Sequence, residues 1–147
     1  MKPGKDYVGV STLFFCTDGN GNFVMAKRGP NSRDEQGRWE TGGGQLEFNS
    51  TLEENVLREL REEYGCSGEI LEQLPPFEVF REQSGSKTHW VGIPYIIKVD
   101  PAEVINNEPE SIDEIGWFTF DNLPRPLHSQ FERAMVQYKD YFEKYQK

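Results

Sequence analysis

The sequence predicts an α/β fold, in which helices cover a mixed β-sheet, and three observations support this class. First, the 147 residues match the size of about one domain, so we expect residues 1–147 to form a single domain with its own core. Second, 35% of the residues are hydrophobic and 14 are glycine, which is typical of a globular chain rather than a disordered one. Third, strand patterns surround one helix pattern, and a second helix pattern follows them.

The first part of the chain predicts a hairpin, a loop and a run of glycines. Residues 7–15 are rich in β-branched and aromatic side chains, which favours a strand. The sequence Asp-Gly-Asn-Gly at residues 18–21 is a hairpin signal, and residues 23–26 would form the returning strand. Residues 28–38 contain two glycines and a proline, so we expect a loop there. Three glycines follow at residues 42–44.

The second part predicts a capped helix, further strands and a final helix. Thr51 and Glu54 form a capping box and Gly65 is a stop signal, so the spacing predicts a helix over residues 51–64. Strand composition recurs at residues 70–74, 77–81, 88–99 and 115–120. Apolar side chains at every third or fourth position predict an amphipathic helix over residues 129–145. We interpret that stripe as core packing: it comprises Phe131, Met135, Tyr138, Phe142 and Tyr145.

Acidic residues outnumber basic ones in this chain. There are 25 Asp and Glu against 16 Lys and Arg, which gives a formal net charge of −9. This balance argues against a surface that binds polymeric nucleic acid through its phosphates. A small anionic substrate stays compatible with it, provided that metal ions or a local basic patch offset the charge.

Cysteine usage and hydropathy indicate a cytoplasmic protein. The two cysteines, Cys16 and Cys66, lack the CxxC or Cys/His spacing of a zinc site, which favours a reducing compartment. The longest apolar stretch, residues 91–99, is interrupted by glycine, proline and lysine, and the first residues do not resemble a secretory leader. We therefore expect a cytoplasmic protein with no membrane contact.

Three carboxylates share one face of the predicted helix. At about 100° per residue, Glu59, Glu62 and Glu63 lie within roughly 100° of one another. Such a cluster repels itself unless a cation binds it. A ligand set of oxygen atoms alone favours Mg²⁺, with Mn²⁺ as the alternative, over zinc. The competing interpretation is an acidic helix face that is simply solvated.

The glycine run favours the binding-site interpretation. Gly42, Gly43 and Gly44 come only a few residues before the capping box. Consecutive glycines cost conformational entropy on folding, so we interpret them as residues that permit an unusual backbone conformation or the close approach of a ligand. A plain flexible loop is the alternative interpretation.

Residues 44–66 resemble the signature of the Nudix family, G-x5-E-x7-R-E-U-x-E-E-x-G-U, in which U is aliphatic. Gly44 opens the motif, and Arg58, Glu59, Leu60, Glu62, Glu63 and Gly65 follow at the required spacing. The segments at residues 27–29, 39–40 and 117–118 are also similar to this family, so the resemblance covers nearly the whole chain. It implies an α/β/α sandwich and a Mg²⁺-dependent hydrolase of nucleoside diphosphates that are linked to another group.

The resemblance also implies roles for individual residues. Metal binding is expected from Gly44 and from the three carboxylates that also serve catalysis, which are Glu59, Glu62 and Glu63. A further ligand or base is expected in the loop before residue 117, where Glu110 is the first choice and Glu108 and Glu114 are the alternatives. The residues expected to contact substrate are Arg28, Arg38, Gly43, Gly44 and His89. A structural role for His89 stays open.

Two positions depart from the motif. Ser50 stands where the family has glutamate, and Asn49 stands where it has a small residue, usually glycine. Ser50 removes one carboxylate from the start of the helix and keeps open a second function class, a catalytically weak Nudix-fold module that binds or senses a nucleotide. The retained helix carboxylates argue against that class. An acidic interaction protein with no ligand is the third interpretation.

The substrate branch is indicated by segments that flank the motif. Residues 46–48 and 107–110 look most like the MutT-like branch that hydrolyses nucleoside triphosphates to monophosphate and pyrophosphate. The proline, tyrosine and upstream motif that mark the ADP-ribose, diadenosine polyphosphate and coenzyme A branches are not found at their positions. We therefore expect a nucleotide, including modified ones, as the small-molecule partner. A homodimer stays open.

Overall fold

The computed structural model describes residues 1–146, apart from the side chain of Gln83. Its strands are β1 (Gly9–Thr17), β2 (Phe23–Arg28), β3 (Trp39–Glu40), β4 (Gly42–Gln45), β5 (Glu69–Gln73), β6 (Phe77–Gln83), β7 (Ser86–Lys98) and β8 (Ile112–Phe118). Its helices are α1 (Leu52–Tyr64), α2 (Ser129–Gln137) and α3 (Lys139–Glu143). The α/β class expected from the order of the sequence patterns is confirmed.

The strands form one mixed sheet. Strand β1 runs parallel to β7, from the pair Gly9 and Trp90 to the pair Thr17 and Lys98. It runs antiparallel to β2 and to β4 on its other side. The main path of the sheet is β3-β2-β1-β7-β5, with β4 beside β1, β6 beside β7 and β8 beside β2. The predicted hairpin between β1 and β2 is confirmed.

Helices cover both faces of this sheet, which gives the α/β/α sandwich. Successive side chains of a strand point to opposite faces, so Phe14 of β1 packs in the core beneath α1. Its neighbour Phe15 packs in the core beneath α2 and α3. Each helical layer therefore has its own apolar core, and β1 contributes to both.

Helix α1 begins and ends where the local signals predict. The Thr51 hydroxyl accepts a hydrogen bond from the Glu54 amide, and the Glu54 carboxylate accepts one from the Thr51 amide, both at 3.1 Å. Gly65 ends the helix in the left-handed conformation, with φ of 65°. This conformation favours glycine because it has no Cβ.

Two elements differ from their sequence predictions. The glycine run, for which no strand was predicted, forms strand β4 paired with β1, so the alternative of a plain flexible loop is wrong. The final helix is divided at Tyr138, where φ is −108° and the ring is buried. The Tyr138 hydroxyl donates a hydrogen bond of 2.6 Å to the carbonyl of Pro75, so a contact 63 residues away fixes this position. The apolar stripe itself packs in the core as predicted.

The helices in the described part of the chain are too short and too polar to cross a lipid bilayer.

Candidate functional site

Helix α1 places two carboxylates directly against strand β4. The Glu63 carboxylate accepts a hydrogen bond of 3.1 Å from the Gly43 amide. An ideal Cβ on Gly42 would lie 2.6 Å from a Glu63 oxygen, and one on Gly44 would lie 2.4 Å from both Glu59 oxygens. The close approach that the glycines permit in this structure is therefore that of the helix carboxylates.

Like charge is concentrated around these two carboxylates. Burial raises the pKa of Glu63 to about 9, opposed by the Gly43 hydrogen bond and reinforced by Glu108 and Glu59. Burial and the neighbouring Glu62 also raise the pKa of Glu59 above its usual value. The pKa of Glu108 is raised by burial, by Glu110 and by Glu62. Burial and mutual repulsion therefore disfavour the ionised form of these carboxyls, and a bound cation would favour it.

Arg58 is a cation of α1 that contacts the carboxylate cluster directly. Its guanidinium lies 3.4 Å from Glu47, 3.6 Å from Glu59 and 3.8 Å from Glu62. It also donates a hydrogen bond of 3.3 Å to the hydroxyl of Ser50, the residue that replaces the family glutamate. Ser50 thus contacts the motif arginine as a neutral acceptor, while Glu47 supplies a carboxylate nearby.

Asn55 is a site residue that the sequence analysis missed. It is fully buried, and its amide donates a hydrogen bond of 2.9 Å to the hydroxyl of Thr12. Its carbonyl accepts bonds from the Glu47 amide, at 3.1 Å, and from Arg58. Asn55 therefore ties the helix to β1 and to the preceding loop. The available signal was an asparagine, a poor helix former, inside a well-capped helix.

A cavity of about 380 Å³ adjoins the carboxylate cluster. The charged residues that line it are Lys27, Arg28, Glu40, Glu63 and Glu108, and Gly42 and Gly43 line it as well. Glu110 and Glu114 are exposed and do not line it. The backbone carbonyl of Glu110 instead accepts a hydrogen bond of 3.4 Å from Asn31.

Of the remaining predicted substrate residues, only Arg28 lines the cavity beside the carboxylates. Arg28 lines the cavity, but its guanidinium is paired with Glu40 at 2.7 Å and with Asp34 at 2.9 Å. Arg38 lies outside the cavities and donates a hydrogen bond of 3.0 Å to the Leu127 carbonyl. His89 lies 2.7 Å from the Glu78 carboxylate and stacks on Phe80.

A second cavity, of about 480 Å³, lies on the sheet face that α2 covers. It shares Leu13 and Glu40 with the first cavity, so the two are adjacent. Its lining combines aromatic and apolar groups with two arginines and several hydroxyls: Phe77, Val79, Trp90, Arg33, Arg81, Ser11, Ser86 and Thr88. From the sequence, Phe77, Phe80 and Trp90 are aromatic residues that could stack a base, although most such residues pack in a core. The sequence does not show that Phe77 and Trp90 share a cavity, because this cavity is assembled from β1, β6, β7 and the loop before β3.

Charged contacts hold the loop before β3 to the rest of the fold. Asp34 lies 3.2 Å from Arg81 of β6. Glu35 accepts two hydrogen bonds from Ser129, one from its amide and one from its hydroxyl, both at 2.9 Å. The buried His128 also lies 2.9 Å from Glu35. The loop that forms one wall of the second cavity is therefore connected to both β6 and the start of α2.

The donor set of the carboxylate cluster fits a hard divalent cation. Glu59, Glu62, Glu63 and Glu108 offer oxygen atoms only, which suits Mg²⁺ or Mn²⁺. Within residues 1–146, no three such side chains converge closely enough to hold a metal ion as they stand. Arg58 contacts both Glu59 and Glu62, whereas Glu63 accepts its hydrogen bond from the Gly43 amide, so the three carboxylates do not share one partner. Glu59, Glu62 and Glu63 all belong to α1, so rotation of their side chains would change the spacing of the carboxylates without movement of the backbone.

Comparison with known proteins identifies the family of the chain. The model of the NUDIX domain matches residues 8–139. MutT4, a candidate mutator protein of Mycobacterium tuberculosis (strain CDC 1551 / Oshkosh), is 27% identical over 109 residues, which are 73% of this chain and 44% of that protein. The CTP pyrophosphohydrolase of Escherichia coli (strain K12) is 34% identical over 70 residues, 48% of this chain and 50% of that protein. The chain thus spans about half the length of the curated relatives it matches.

Solved structures agree with this result. The crystal structure of a MutT NUDIX hydrolase from Burkholderia pseudomallei has a TM-score of 0.78 at 27% identity, and the match covers 90% of this chain and 98% of that one. The Nudix hydrolase RenU from M. smegmatis shares the fold, with a TM-score of 0.69 at 20% identity over 93% of this chain and 84% of that one. The chain therefore belongs to the Nudix hydrolase family and is similar to its MutT-like members.

Proposed function

We propose that the chain is a divalent-metal-dependent hydrolase that converts a nucleoside triphosphate to the monophosphate and pyrophosphate. The observation that carries this proposal is the position of the carboxylate cluster, which borders one cavity that shares Leu13 and Glu40 with a second, aromatic one. A phosphate chain suits the polar first cavity and a nucleoside suits the second. Both volumes fall within the range of roughly 300–1,000 Å³ that is usual for small-ligand sites.

The residues assigned to the metal are those of the cluster. Glu59, Glu62 and Glu63 would hold Mg²⁺, with Mn²⁺ as the alternative, together with the backbone carbonyl of Gly44. That carbonyl now accepts a long hydrogen bond of 3.5 Å from Asn55. When bound, the metal supplies charge neutralisation at the phosphate oxygens and a lower pKa for an attacking water.

We assign Glu108 as the further metal ligand or general base that a segment outside α1 contributes. It lines the same cavity as Glu63, whereas Glu110, the first choice from the sequence, is exposed. A carboxylate in this position can accept the proton of the attacking water or complete the metal site.

The deciding experiment identifies the products released from a panel of nucleotides. The eight common ribo- and deoxyribonucleoside triphosphates, and ADP-ribose, are each incubated with the protein and Mg²⁺. Pyrophosphate, orthophosphate and nucleoside monophosphate are measured separately. We expect pyrophosphate with matching monophosphate, and no release after chelation of the metal. CTP belongs in the panel because one relative is a CTP pyrophosphohydrolase. Release of orthophosphate alone, or cleavage of ADP-ribose alone, would contradict the proposed reaction.

A second candidate function is nucleotide binding without turnover. The observation that favours it is Ser50, which gives Arg58 a neutral partner in place of the family carboxylate. Isothermal titration of the same nucleotides separates the two candidates. Binding of a nucleotide with no product release in Mg²⁺ or Mn²⁺ supports the sensor, and turnover excludes it.

A further inference from the structure

We infer that the indole of Trp90 is the surface on which the nucleobase of the substrate stacks. This inference rests on the proposed function, because it assumes that the ligand is a nucleotide. The second cavity contains neither the residues of the family motif nor those of the carboxylate cluster, and this contact gives the cavity a role.

Trp90 reaches the second cavity because of its position in the central strand pair. It lies on β7, opposite Gly9 of β1 and Val79 of β6. Alternate residues of β7, Thr88 and Gly92, line the same cavity, as expected for side chains two positions apart on a strand. His89, between them, points to the opposite face of the sheet.

Two glycines hold the indole in place. An ideal Cβ on Gly9 would lie 2.6 Å from two atoms of its six-membered ring, and one on Gly4 would lie 2.1 Å from Nε1. Gly4 has φ of 80°, and its carbonyl accepts a hydrogen bond of 2.7 Å from the His89 amide. Backbone therefore contacts the ring at two points, so the indole is ordered before a ligand binds.

The other tryptophans are packed elsewhere. Trp39 is buried against Phe118 beneath α2 and α3, and Trp117 packs in the core beneath α1. Trp90 is consequently the tryptophan that lines the second cavity, and the apolar residues Phe77, Val79 and Leu13 line the same cavity. An ordered aromatic ring in an apolar wall suits the flat face of a base.

Stacking on an aromatic ring is tolerant of base identity, because every base has a π-face. Trp90 therefore contributes affinity for nucleobases as a class. Hydrogen bonds to the base edge would have to come from polar groups of the cavity. Removal of the Trp90 ring should therefore weaken the binding of purine and pyrimidine nucleotides to a similar extent. It should not weaken the binding of a substrate that lacks the base.

The kinetic experiment compares Trp90→Ala with wild type on two substrates. One is a nucleoside triphosphate that the wild-type protein hydrolyses, and the other is ribose 5-triphosphate, which lacks the base. We expect KM for the nucleotide to rise roughly 10- to 100-fold, with kcat within about threefold. We expect the kinetic constants for the baseless substrate to match those of wild type. Trp90→Phe, which keeps an aromatic ring, should have an intermediate KM and serves if Trp90→Ala does not fold.

A binding experiment without metal gives a readout that is independent of catalysis. A nucleoside monophosphate should quench the tryptophan fluorescence of the wild-type protein, and ribose 5-phosphate should not. The quenching should be absent in Trp90→Phe. Phe80→Ala is the matched control, because Phe80 is an exposed aromatic residue outside both cavities. This variant should retain the wild-type KM and quenching.

The outcomes separate the two proposals. If the wild-type protein hydrolyses nucleotides but Trp90→Ala keeps the wild-type KM, the role of Trp90 is overturned while the proposed function stands. Equal losses on the nucleotide and the baseless substrate would also overturn it, because a stacking contact affects only the former. If the wild-type protein neither hydrolyses nor binds nucleotides, both proposals fail together.

Discussion

The carboxylate of Glu59 occupies the space beside Gly44, where an ideal Cβ would lie 2.4 Å from both of its oxygens. The adjacent glycine is confined by a different neighbour. A Cβ on Gly43 would lie 2.3 Å from the carbonyl oxygen of Thr12, which belongs to the backbone of β1. A flexible side chain can rotate away from a new methyl group and a paired strand cannot. The two glycines therefore have separable roles in the site and in the fold.

Substitution of these glycines should separate activity from stability. Gly44→Ala should displace the Glu59 carboxylate and lower kcat/KM by roughly tenfold or more, with a change in the free energy of unfolding below about 1 kcal/mol. Gly43→Ala should lower the free energy of unfolding by about 1–3 kcal/mol, because the methyl group meets backbone. Urea unfolding followed by circular dichroism, together with pyrophosphate release, measures both quantities. A Gly44→Ala variant with wild-type activity would contradict the proposed position of Glu59 in the metal site.

Removal of one charge from the carboxylate cluster should lower kcat far more than substitution of Ser50, the residue that departs from the Nudix motif. Glu63→Gln keeps the size of the side chain but removes a metal ligand, so kcat should fall roughly 10²-fold or more. Ser50→Ala removes only a neutral acceptor for Arg58, and kcat should stay within about tenfold of wild type. Ser50→Glu should match or exceed wild type, because it restores a carboxylate at the N-terminus of α1. Loss of turnover in Ser50→Ala with full activity in Glu63→Gln would overturn the mechanism.

Local signals were sufficient for the elements whose contacts are local. The capping box of Thr51 and Glu54 and the stop at Gly65 placed α1, and helical spacing placed three glutamates on one face. Of these, Glu59 and Glu63 lie against β4 while Glu62 is half exposed, with 53% of its side chain accessible. The burial of Glu59 and Glu63 depends on the pairing of β4 with β1, and no pattern within the helix can show that pairing.

The features that the sequence did not predict depend on distant contacts. The division of the last helix depends on the hydrogen bond from Tyr138 to Pro75. The choice between Glu108 and Glu110 depends on how the segment before β8 turns toward α1. Here Asn107 anchors the segment, since its side chain donates hydrogen bonds to the carbonyls of Arg61 and Glu62 at the end of α1. Neighbouring carboxylates in an irregular segment have no periodicity from which to predict that turn.

Glu108 and Glu110 can be distinguished directly. Glu108→Gln should lower kcat roughly 10²-fold, because the neutral amide can neither bind the metal well nor accept a proton. Glu110→Gln should leave kcat within about threefold of wild type, since its side chain is exposed and outside the cavity. Rates of pyrophosphate release at saturating nucleotide and Mg²⁺ measure the difference. If the two results are reversed, the sequence-based first choice of Glu110 is restored and the assignment of Glu108 is wrong.

The contact between Glu35 and Ser129 should make part of the stability dependent on pH. Burial of the Glu35 carboxyl acts to raise its pKa, but the two hydrogen bonds from Ser129, with His128 and Arg81 nearby, lower that pKa below its usual value of 4.5. Arg38 also lies 3.9 Å from this carboxylate. A folded-state pKa below the unfolded one means that ionised Glu35 favours folding above about pH 4.5, the value for an unfolded glutamate. This contribution is lost as the pH falls through the folded-state pKa.

The corresponding measurement is the free energy of unfolding of wild type and Glu35→Gln between pH 3 and pH 7. The wild-type protein should be more stable by a constant amount near pH 7, and the difference should shrink as the pH falls below about 4.5. Ser129→Ala removes the hydroxyl donor and keeps the amide donor, so the same comparison made in that background should give a smaller difference. A difference that grows toward acid pH would mean that protonated Glu35 is the favoured form, and the sign of its pKa shift would then be the opposite of the one given by its contacts.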